Sequence, residues 1–107
     1  MLETFIKKYQ DKLGQERIDT IQDIINKIKS IKYNNLLIQY LKDDSIFITV
    51  IKDKYEIHLS YNFNMSVSYF LPVFYTLFYK NEVLEIGRGN LTESIERIKE
   101  VINNNAK

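Results

Sequence analysis

A chain of 107 residues with fifteen basic and fourteen acidic side chains, formal charge +1, is sized for one domain, taken here as 1–107, and lacks the basic excess typical of nucleic-acid-binding domains. With no cysteine, disulfides, thiolate metal sites and a cysteine nucleophile are excluded. A 45% hydrophobic and 27% charged composition argues against wholesale disorder.

The N-terminal run Met-Leu-Glu-Thr-Phe-Ile-Lys-Lys places Glu3 where a secretory signal would be basic, so no targeting segment is expected and the cytoplasm of a bacterial host is the expected location. Isoleucine and asparagine are abundant and lysine outnumbers arginine twelve to three, a bias that tracks AT-rich, low-GC genomes and their phages or mobile elements.

Leu2, Phe5, Ile6, Tyr9 and Leu13 fall on one helical stripe, predicting a helix over about 2–13 that Gly14 stops. A second stripe through Ile18, Ile21, Ile24, Ile25 and Ile28 predicts a helix over about 19–30, with Asp19 and Gln22 in capping-box spacing. Beyond Asn34-Asn35 the period shortens. Residues 36–41 read as a strand between turn residues, although a helical continuation is also open. The β-branched run 45–51 and the alternating run 55–61, linked by Lys52-Asp53-Lys54, predict a hairpin.

From Tyr55 to Leu71 every odd position is apolar or aromatic and the even ones are polar up to Ser68, the mark of a half-buried sheet. Asn62-Phe63-Asn64 offers a turn. A strand over 65–79 should follow, bent at Pro72, which cannot donate to a ladder. Lys80-Asn81-Glu82 turns the chain into a strand over 83–87. Gly87-Arg88-Gly89 reads as a tight strand-to-helix turn, and Asn90 with Glu93 caps a last helix over 91–103, on which Glu93 and Arg97 are spaced as an ion pair.

The expected fold is therefore α+β: an antiparallel sheet of four to five strands with two N-terminal helices and one C-terminal helix, in the order α-α-β-β-β-β-β-α. Helices on one face leave the other open. With the two-residue register carried through Pro72, Phe70, Phe74 and Phe78 share that open face, joined by Phe47 and Ile51; a one-residue bulge would exchange the faces.

No residue set announces chemistry. His58 is the sole histidine and sits on the polar side of its strand; Asp43-Asp44 and Glu82/Glu85 read as turn residues. Arg88, between glycines before a helix, is kept as a contact candidate, since a lone Gly-x-Gly lacks the phosphate-binding fingerprint. Residues 59–79 carry no charge, but polar residues at alternate positions through their first half argue against a membrane span.

The expectation is thus a non-enzymatic protein-binding or regulatory module without cofactor or metal. Its partner-binding candidates are Phe47, Ile51, Phe70, Phe74, Phe78 and Arg88, and its partner is a protein or a second copy in a homodimer. Composition and size suit a small phage or mobile-element inhibitor of the anti-defence or anti-CRISPR type, or a toxin-immunity protein. The alternatives are a nucleic-acid-binding domain using sheet aromatics and a small-ligand domain lined by Tyr61, Tyr69, Tyr75 and Tyr79.

Overall fold

The computed structural model describes residues 2–65 and 71–106. The chain opens with helix α1 (Leu2–Ile28), followed by a 3₁₀ turn (Lys29–Ile31). Five strands follow, β1 (Asn35–Leu41), β2 (Ser45–Lys52), β3 (Tyr55–Asn62), β4 (Val73–Tyr79) and β5 (Glu82–Gly89), and helix α2 (Leu91–Asn105) closes the fold. The strands form one antiparallel meander in sequence order.

The α+β architecture and the five-stranded sheet match the expectation; the helix count does not. Instead of two N-terminal helices there is one, kinked at Gly14, whose φ of 73° and ψ of 165° lie outside the helical region. Glycine tolerates this without a Cβ clash, so the expected stop becomes a change of direction. Asp19 does not cap a new helix either: it lies within α1 and accepts from Gln15 Nε2 at 2.7 Å. At α2 the cap forms as expected, with the Glu93 N–H donating to Asn90 Oδ1 at 2.8 Å.

Short turns explain the meander. Lys80 and Asn81 both adopt positive φ, the backbone of a two-residue hairpin loop whose twist suits paired strands. Asp44, also at positive φ, ends the three-residue β1–β2 loop, its N–H donating to the Leu41 carbonyl at 3.2 Å. Residues 36–41 are thereby strand. The strand expected over 65–79 begins only at Val73: Met65 belongs to a 3₁₀ turn (Phe63–Met65), and 66–70 lie outside the described residues. Pro72 has no N–H to give, but its carbonyl accepts from Asn62 N–H at 3.1 Å, so the ladder closes on the one bond proline can make. Leu71, expected on the core face, is exposed.

Both helices pack on one side of the sheet. Ile21, Ile24 and Ile28 of α1 and Ile98 of α2 meet Ile46, Ile48, Ile57, Leu59 and Leu77 in one cluster of fully buried side chains. Each contributes about 1.5–3 kcal/mol by leaving water. Val73, Tyr75 and Leu77 are buried there too, and β3 pairs with β4 without a register shift, so the odd-numbered core face persists across Pro72.

Candidate functional site

The side of the sheet away from the helices is built by register. One row runs Gln39, Phe47, Ser60, Phe74, Arg88; the next Leu37, Thr49, His58, Thr76, Ile86; the third Asn35, Ile51, Glu56, Phe78, Val83. Phe47, Ile51, Phe74 and Phe78 thus share one face, as expected, and Arg88, expected in a turn between strand and helix, lies in β5 on the same face. Phe70 lies outside the described residues.

Several large apolar side chains here are open to water: Leu37 is 51% exposed, Phe74 42%, Val83 56% and Ile86 59%. An apolar cluster left uncovered by a small domain's own helices has the character of an interaction surface. At its centre the His58 ring lies between Phe47 and Phe78, with centroid separations of 5.4 and 4.8 Å. Glu56 holds the outer edge of the imidazole through Nε2. Beside this trio the Arg88 guanidinium sits 5.9 Å from the Phe74 ring centroid, a cation–π contact.

His58, Leu37, Val83 and Ile86 belong to the face although sequence reasoning did not choose them. Leu37 was findable from alternation in β1, where Leu36 and Ile38 point inward. Val83 and Ile86 were hidden by a register shift in the β4–β5 pairing at Leu77/Phe78, which breaks the simple odd-even count.

Asp44 and Glu85, one from each acidic pair, are tied into the fold. Asp44 receives Arg17 from α1 and, at 2.7 Å, the Tyr40 hydroxyl, and these bonds hold its carboxyl below the usual range. Glu85 lies on the helix side, where Arg97 of α2 grips it; the expected Glu93–Arg97 pair gives way to this longer-range one. Gly87 and Gly89 are strand residues rather than a turn. A Cβ at Gly87 would run into the Tyr75 ring, which lies across that position.

Of the tyrosines expected to line a ligand pocket, Tyr75 is buried with its hydroxyl on Glu85, Tyr79 packs tilted against Tyr55, Tyr61 packs edge-on against Phe63, and Tyr69 lies outside the described residues. Among the described residues no group of His, Asp or Glu side chains is placed to hold a metal ion, and no helix is long and apolar enough to cross a membrane. No protein-family model, curated protein or solved structure matches this chain.

Proposed function

We propose that this protein is a non-catalytic binding module that docks a protein partner on the open face of its sheet. The observation that carries the reading is the Phe47–His58–Phe78 ring cluster flanked by exposed Phe74 and Ile86, on the side opposite both helices. Five strands of seven to eight residues present a face of roughly 25 by 25 Å, about 600 Å², near the ~800 Å² per partner of a standard interface. Aromatic anchors and an arginine are the residue types that concentrate binding energy at such surfaces.

Stoichiometric occlusion is the mode of action this geometry suits, and the low-GC composition favours an inhibitor of the phage or mobile-element type, or a toxin-immunity protein. Charge argues against nucleic acid: among the described residues of the face, Arg88 is the one permanent cation, and Glu56 lies on the same face.

The test is affinity capture from low-GC bacterial cells with the native chain and with Phe74→Asp/Ile86→Asp. The expected result is a protein retained by the native chain in stoichiometric amount and lost with the variant, which keeps its circular dichroism spectrum and melting temperature. Equal retention by both chains, or no retention by either, overturns the reading.

A further inference from the structure

The two edges of the sheet differ. β5 carries Glu82, Glu85 and Arg88, and its pairing with β4 contains a bulge, devices that discourage a further strand. β1, Asn-Leu-Leu-Ile-Gln-Tyr-Leu, has no charge, no proline, no glycine and no register shift in its pairing with β2. An edge of this kind is a template for pairing.

Hydrogen-bond parity says which of its groups face outward. The two-residue Asp53-Lys54 loop makes Lys52 and Tyr55 a hydrogen-bonded pair, so even-numbered residues of β2 bond β3 and odd-numbered ones bond β1. Through the register Thr49 to Leu37, the odd residues of β1 face β2, and Leu36, Ile38 and Tyr40 turn their peptide groups to the outside. The Leu36 N–H confirms the parity: it donates to the side-chain oxygen of Asn35 at 2.9 Å, an acceptor supplied by its own neighbour.

We infer that β1 pairs antiparallel with β1 of a second copy, about a two-fold axis at Ile38, to give a continuous ten-stranded sheet. The occupant is a second copy because the edge is self-complementary. Centring on Ile38 places Leu36 opposite Tyr40 of the second copy and Ile38 opposite Ile38, so outward peptide groups meet outward peptide groups. The same register keeps core-side residues beside core-side residues and sets Leu37 beside Gln39 on the open side.

A groove of about 510 Å³ runs along the second half of this edge, between Phe5, Lys8 and Tyr9 of α1 and Ile38 to Leu41 of β1. In this pairing it receives Asn35 to Ile38 of the second copy, and the symmetry-related groove receives the same segment of the first. The Leu36 N–H exchanges its Asn35 acceptor for the carbonyl of Tyr40 in the second copy. The pairing leaves Phe74, Phe78 and Ile86 free and joins the two open faces side by side, so it stands independently of the proposed function.

The test is light scattering and amide hydrogen exchange on the full chain across a concentration series, with the native sequence, Leu37→Lys/Gln39→Lys and Phe74→Asp/Ile86→Asp. Positions 37 and 39 are both exposed, and the double lysine places like charges across the seam at side chains outside the buried core. The expected result is a native dimer, weakened about tenfold or more by the lysines and unchanged by the aspartates. Exchange of the Ile38 and Tyr40 amides should slow about 15-fold at a total concentration about 100 times the dimer Kd, where about one chain in fifteen is free monomer. A native chain that stays monomeric at about 1 mM, a dimer indifferent to the lysines, or fast exchange at Ile38 within the dimer overturns the inference. Loss of the dimer through the aspartates alone would place self-association on the open face instead.

Discussion

Arg97 of α2 forks onto Glu85 of β5, Nη2 to Oε1 at 2.8 Å and Nε to Oε2 at 2.9 Å, and the Tyr75 hydroxyl donates to the same carboxylate at 2.9 Å. One carboxylate thereby ties the last helix to the edge strand and to a buried tyrosine. The Arg97 bonds hold the Glu85 carboxyl below its usual range, as Arg17 does for Asp44.

Acid stability follows from the sign of these shifts. A folded-state pKa below the unfolded one means that the unfolded chain binds protons more readily, so the stabilisation is present above the ordinary carboxylate range and lost as pH falls through the folded values. Urea midpoints should therefore drop as pH is lowered below about 4.5. In Arg97→Leu/Arg17→Leu the drop between neutral and acid pH should be smaller. A double variant with the native acid profile would refute this.

Alkali works in the opposite direction. Burial, then the bond to Glu85, pushes the Tyr75 hydroxyl up to about 12. Its contribution is full below the unfolded value near 10 and lost as pH rises through the folded value. Tyrosinate absorbance should show late-titrating hydroxyls, since the bond to Asp44 raises Tyr40 as well, and the Tyr75 component should disappear in Tyr75→Phe. That variant should lose about 1 kcal/mol at neutral pH, one hydrogen bond's worth.

Gly87 is required by close approach. Because the Tyr75 ring covers it, Gly87→Ala should cost about 1–3 kcal/mol through overpacking, read as a lower urea midpoint with an unchanged m-value. Tyr75→Phe should not rescue it, since the ring carbons themselves are in the way, whereas Tyr75→Leu should recover part of the loss.

Gly14 is required by backbone conformation alone. A Cβ there meets nothing within 4 Å, yet φ of 73° with ψ of 165° is territory essentially reserved for glycine. Gly14→Ala should cost about 1–3 kcal/mol despite the open space, and a silent substitution by thermal melting would contradict the kink.

Strict alternation from Tyr55 onward made the sheet legible, because a half-buried strand must repeat every two residues, and Val73, Tyr75 and Leu77 keep the odd side inward. That same rule placed Phe47, Ile51, Phe74 and Phe78 on one face. It failed at Leu71, outside the ladder, and at β5, where the register shift separates sequence parity from face. The helix boundaries were misread for a different reason. Gly14 and Asp19 carry true stop and start chemistry, but local signals cannot say whether the chain leaves the helix axis or only bends, since Gln15 takes the carboxylate that would have capped. His58 was undervalued because its neighbours Phe47 and Phe78 lie eleven and twenty residues away and meet it only across the ladder.

Docking of a protein partner on the open face is tested by site-specific photo-cross-linking in living low-GC bacterial cells. A photoreactive residue is placed at exposed Ile86 on the open face or at exposed Glu96 on the helix face. Docking on the open face predicts one discrete protein adduct from position 86 and none from position 96. An adduct from position 96 with none from position 86 would contradict it.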